Sequence, residues 1–175
     1  MNRFFLPLAL VALLVSTPAC DVFTLPPIDT SEFEGSVIEG GQETLLIGQA
    51  RFSSVFRDNT VNTLVEIVAR NATEVDSQRG YVIRIEVPGS IGRASYQVGA
   101  TGALSATGEI SYKDGGAEDP IVYYDAVSGV LEVSDFQDQR IRGGLQMDLQ
   151  ARAADSDVIM LASGSFKALR GEGFQ

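Results

Sequence analysis

From residue 44 onward the chain falls into short runs in which apolar and polar residues alternate with a period of two, the spacing of a strand with one buried face. In residues 81–87, Tyr81, Ile83, Ile85 and Val87 share one side, and Arg84 and Glu86 the other. The clearest run is 140–152, where Ile141, Leu145, Met147 and Leu149 alternate with Arg142, Gln146, Asp148 and Gln150. Further runs are 45–56, 61–71, 94–100, 108–113, 121–126, 129–136 and 158–167, the last with Phe166 facing the core. Turn residues divide them: Arg57-Asp58-Asn59-Thr60, Pro88-Gly89 and Asp114-Gly115-Gly116, with a hairpin about Val127-Ser128. About nine strands and no helix predict an all-β domain over 44–170, an antiparallel β-sandwich or β-barrel, followed by a short tail at 171–175. Gly143 and Gly144 sit inside a strand and predict a bulge that bends the sheet.

The first 43 residues follow a different pattern. Arg3 precedes an apolar run broken only by Pro7, and Ser16, Thr17, Pro18 and Ala19 lead to Cys20. A charged start, an apolar stretch too short to span a bilayer comfortably and a small residue before the cut make residues 1–19 a secretory signal. Cys20 then stands where a bacterial lipobox has its lipidated cysteine, with Thr17 in place of the usual leucine. The expectation is a chain anchored to a membrane by lipid on Cys20, on the periplasmic or outer-membrane face of a bacterial envelope. Residues 20–43, acidic and carrying Pro26-Pro27 and Gly40-Gly41, read as a flexible tether.

Composition narrows the chemistry. The net charge is −10, which disfavours nucleic acid as a partner. Histidine is absent and Cys20 is the single cysteine, which excludes serine–histidine and cysteine–histidine catalysis and leaves the domain no disulfide. Carboxylates are left. Glu109, Asp135 and Asp148 lie on strands or their ends, but nothing in the sequence pairs them for glycoside hydrolysis. The acidic loops Asp114-Gly115-Gly116-Ala117-Glu118-Asp119 and Asp155-Ser156-Asp157 lack the spacing of a calcium loop and read as solvated turns. Asn71-Ala72-Thr73 matches a glycosylation acceptor that a bacterial lipoprotein would not normally use. Tyr123 and Tyr124 are adjacent and must face opposite sides of a strand. The outward one could join Tyr112 as a ligand platform, or the aromatics pair across strands to hold the sheet.

Four stretches together resemble a group of uncharacterised bacterial secreted lipoproteins with all-β domains. They are Gly92-Arg93-Ala94-Ser95-Tyr96, then Tyr124 with Ser128-Gly129-Val130-Leu131-Glu132-Val133, then Arg140-Ile141-Arg142-Gly143-Gly144-Leu145, and finally Gly164-Ser165-Phe166. The resemblance covers roughly residues 80–168 and implies an envelope location and a sandwich or barrel; it supplies no catalytic residues, and no cofactor is expected. The functional expectation is a non-enzymatic β-domain, tethered through Cys20, that binds an unknown protein, glycan or small ligand. The alternatives are an assembly component pairing through a sheet edge, and a hydrolase working by carboxylates alone.

Overall fold

A computed structural model describes residues 30–57, 59–73, 79–113, 120–152 and 159–171, apart from the side chain of Ile159. It has nine strands and, among the described residues, no helix. The strands are β1 (Glu32–Glu39), β2 (Gln42–Arg57), β3 (Thr60–Asn71), β4 (Gly80–Pro88), β5 (Ser95–Val98), β6 (Ser105–Lys113), β7 (Val122–Gln137), β8 (Arg140–Ala151) and β9 (Ile159–Arg170). They bond in the order β1-β2-β3-β4-β6-β5-β7-β8-β9, and β9 returns to β1, so the all-β domain closes as a barrel.

Nine strands make a wall that is eight strands wide at each end. At one end β1 lies between β9 and β2, and β6 pairs directly with β7. At the other, β1 has ended and β2 pairs with β9 in parallel, while β5 has entered between β6 and β7. The strands are strongly staggered. The row of paired residues through Arg51 reaches β7 at Asp125 by way of β3, β4 and β6, but at Gln137 by way of β9 and β8. Eight tilted strands enclose a space that side chains alone can fill. Here Phe33, Leu46, Phe52, Ile67, Ile83, Ile110, Leu131, Ile141, Met147, Leu149, Met160 and Phe166 fill it.

The alternation expected in β4 and β8 is observed. Tyr81, Ile83, Ile85 and Val87 are buried, as are Ile141, Leu145, Met147 and Leu149. Three expectations need correction. The segment 20–43 is not a tether throughout. From Glu32 it is β1, because Phe33 and Val37 alternate inward with Glu32, Glu34 and Ser36 outward, and both flanks of the strand are paired. Gly40 and Gly41, both at positive φ, make the two-residue hairpin turn into β2 that glycine favours. Second, the hairpin about Val127-Ser128 does not form. β7 is one strand whose register with β8 shifts between Ala126 and Ser128 and again between Val133 and Asp135. Each shift inserts one residue and flips the alternation, so Tyr124 faces inward, then Leu131 and Val133, then Phe136. Third, the bulge near Gly143 belongs to the facing strand β7. Gly143 instead permits a close backbone approach, since a Cβ there would overlap the Glu132 carbonyl oxygen.

The barrel has two unlike ends. Thr30 precedes β1 and Gly171 follows β9 at one end, together with the β2–β3 and β7–β8 turns. The β1–β2 turn lies at the other, with the ends of β3, β6 and β8 and the starts of β4, β7 and β9.

Candidate functional site

Three places bring chemistry-bearing side chains together. The first closes the loop end of the barrel. Tyr81, Tyr112 and Tyr124 project inward from β4, β6 and β7, with ring centroids 5.6 Å apart for Tyr81 and Tyr112 and 6.1 Å for Tyr112 and Tyr124. The Tyr124 hydroxyl donates to Glu39 Oε1, and Tyr112 donates to the same oxygen at 3.4 Å. The Arg79 guanidinium lies 4.4 Å from the Tyr112 ring centroid and 3.9 Å from Glu39 Oε2. Burial, with the Glu39 carboxylate next to it, holds the Tyr124 hydroxyl well above the usual tyrosine range. All three rings are buried, so they cap the core and offer no exposed platform.

The second is a charged row on the outer wall. Arg51, Glu66, Arg84, Glu109 and Asp125 lie side by side on β2, β3, β4, β6 and β7. Arg84 Nε is 2.8 Å from Glu66 Oε2, and Nη1 is 3.5 Å from Glu109 Oε1. Arg152 bonds Asp125 through two nitrogens and reaches Glu109 Oε2 at 3.1 Å. Hydrogen bonding to Glu66 raises the Arg84 pKa, and hydrogen bonding to Arg152 lowers that of Asp125. A cleft of about 240 Å³ opens here between Arg57, Arg84, Glu86 and Glu109.

The third is a hollow of about 740 Å³ on the outer wall across β1, β2 and β3, reaching Gly80 of β4. Ile47 and Val68 are its outward-facing apolar residues, with Glu32, Glu34, Gln49 and Arg70 around them. Glu32 and Glu34 also border a second hollow of about 460 Å³, whose far side carries Arg142 and Lys167. The first volume suits a small ligand or a few residues of a larger one.

The residues singled out from sequence do not converge. Glu109 is engaged by two arginines, Asp135 faces Arg93 and Arg140, and Asp148 accepts a hydrogen bond from Ser128 at 2.6 Å. Tyr124 and Tyr112 stack inside, whereas Tyr123 lies outside beneath the Arg152 guanidinium. The outward tyrosine therefore forms no platform with Tyr112, and the cross-strand aromatic reading holds. The Asn71 side chain accepts hydrogen bonds from the Thr73 amide and hydroxyl, a local turn at the end of β3. Among the described residues no group of three acids could hold a metal ion. Cys20, the signal at 1–19, the loops 114–119 and 155–157 and the tail beyond Gly171 lie outside the described residues. The sequence places Tyr81 on the apolar face of its strand but does not join it to Glu39 and Arg79, because Glu39 lies far along the chain from Tyr112 and Tyr124. The chain matches no known protein family, no characterised protein and no solved structure.

Proposed function

We propose that this protein is a lipid-anchored component of a bacterial envelope, tethered through Cys20, whose barrel binds a small amphipathic ligand or a short segment of a partner on its outer wall without catalysing a reaction. The observation that carries this reading is the contrast between a filled interior and a ligand-sized hollow outside, with Ile47 and Val68 apolar and Glu32, Glu34, Gln49 and Arg70 placed to orient a polar group. The non-enzymatic reading draws on the acids themselves, since Glu109, Asp135 and Asp148 are each taken up in separate pairings on the wall. Assembly through a sheet edge draws little support from a closed ladder whose unpaired edge among the described residues includes only short ends such as that of β2 beyond Phe52.

Two measurements test the reading. Mass spectrometry of the mature amino terminus should find acyl chains on Cys20, and an unmodified start refutes the anchor. The apolar dye phenylnaphthylamine should brighten with the protein and lose that signal in Ile47→Arg, but keep it in Val127→Arg, an exposed apolar position on another strand. Equal signals in the two variants would remove the hollow as the binding site.

A further inference from the structure

The inward-facing stripe of β2 and β3 does not stop where the barrel stops. On β2 it runs through Leu46, Ala50 and Phe52, all buried, and continues two turns of the pleat to Phe56, which is 70% exposed. On β3 it runs through Val65 and Ile67 and continues to Val61, 54% exposed. Phe56 and Val61 are directly paired. Beyond Phe52 the pairing with β9 has ended, so among the described residues 53–57 pair in the sheet only with β3, and the β2 side of the hairpin tip extends past β9. Phe56 and Val61 thus leave more than half of their surface uncovered among the described residues.

We propose that this hairpin tip dips into the lipid surface to which the protein is anchored, with Phe56 and Val61 entering the interface. The inference rests on the anchoring proposed above. Two further observations select lipid as the occupant. Thr30 lies at this same end, so the segment from Cys20 joins the barrel here, and its ten residues reach at most about 35 Å. This end also carries four arginines in a chain of net charge −10. Arg57 pairs with Glu86, Arg93 and Arg140 with Asp135, and Arg170 Nε donates to the Asp138 carbonyl oxygen. Arg57, exposed beside Phe56, carries a positive charge that suits a lipid phosphate.

The chain contains no tryptophan, so Phe56→Trp introduces a single reporter, and Ile121→Trp places one on the opposite end. The full lipidated chain is reconstituted in vesicles of phosphatidylethanolamine and phosphatidylglycerol with a quencher attached to the acyl chains. The indole of Phe56→Trp should shift to the blue and lose at least half its emission to the lipid quencher, whereas that of Ile121→Trp should keep its emission. Equal, solvent-like emission from both variants in protein that floats with the vesicles overturns the contact and leaves the anchor standing. Shielding of the Phe56→Trp indole without lipid quenching, in protein that sediments as a dimer, assigns the pair to a second copy and also overturns it. Protein that carries no lipid on Cys20 and does not float refutes the anchoring and this inference with it.

Discussion

Glu66 of β3 lies directly opposite Arg84 of β4, its carboxylate oxygen 2.8 Å from the guanidinium Nε, and Glu66 is only 4% exposed although it points away from the barrel interior. A carboxylate removed from water this far depends on its partners. Arg84→Met should destabilise the barrel by roughly 1–3 kcal/mol, the cost of leaving a buried polar group short of a partner. Adding Glu66→Gln should recover much of that loss. Urea melts of the single and double variants check it, and a double variant as unstable as the sum of both singles would show that the pair does not act as a unit.

Gly143 and Gly144 are neighbours in one strand with opposite tolerances. A Cβ at Gly143 would overlap the Glu132 carbonyl oxygen and reach the Phe166 ring at 3.0 Å, whereas at Gly144 it would come no nearer than 3.4 Å to the Gly164 carbonyl oxygen. Gly143→Ala should therefore cost about 2 kcal/mol or more, and Gly144→Ala less than about 1 kcal/mol. Thermal melts of the two variants make the comparison, and equal midpoints would contradict the close approach at Gly143.

The two faces of β8 should respond differently to the same charge. Leu145 is buried among core side chains and Gln146 is exposed on the wall. Leu145→Asp should leave no folded population at neutral pH, whereas Gln146→Asp should change stability by no more than about 0.5 kcal/mol. Circular dichroism with urea titration reads both.

Tyr124 makes the fold sensitive to alkali. Burial and Glu39 raise its folded-state pKa above the ordinary value of 10.0, so the folded chain keeps the proton that the unfolded chain surrenders. Its contribution is complete below about pH 10 and declines as pH rises toward the folded value. The urea midpoint should fall above about pH 10, and Tyr124→Phe should flatten part of that fall while costing about 1 kcal/mol at neutral pH for the hydrogen bond to Glu39. Unchanged alkaline slopes in the variant would remove Tyr124 as the source.

Asp125 works in the opposite direction, at acid pH. Arg152 holds its carboxyl below the ordinary 3.8, so the stabilisation is present above that value and is lost as pH falls through the lowered one. Arg152→Gln should return the Asp125 titration, followed by carboxyl-carbon NMR, toward its ordinary value. A titration that does not move would show that Arg152 is not its cause.

The alternation of β4 and β8 was legible because each strand keeps one face in and one face out without interruption. β7 was not, because its two inserted residues reset the parity and make one strand read as two. β1 was hidden for a different reason. Its inward face carries Phe33, Gly35 and Val37, and its acidic outer face next to a proline pair suggested a spacer. The two errors cancelled in the strand count, which is nine either way. Closure was out of reach of local pattern, since it depends on β1 meeting β9 from the other end of the chain. The Glu39 cluster depends on the same closure, because Glu39 meets Tyr124 only when β1 takes its place in the wall. The hollow beside Ile47 belongs to the curvature of the wall, which no run of residues spells out.

The position of β1 has a mechanical consequence. It is the strand joined to the N-terminal segment, and it is antiparallel to β2 on one flank and to β9 on the other over nearly its whole length. Tension arriving through Thr30 pulls along the strand axis, so both ladders are loaded in shear and their hydrogen bonds must fail together. Peeling from a free edge, in which bonds break one after another, is not open to it. Were the domain held through this strand, forced unfolding would have to break both ladders at once rather than one bond at a time.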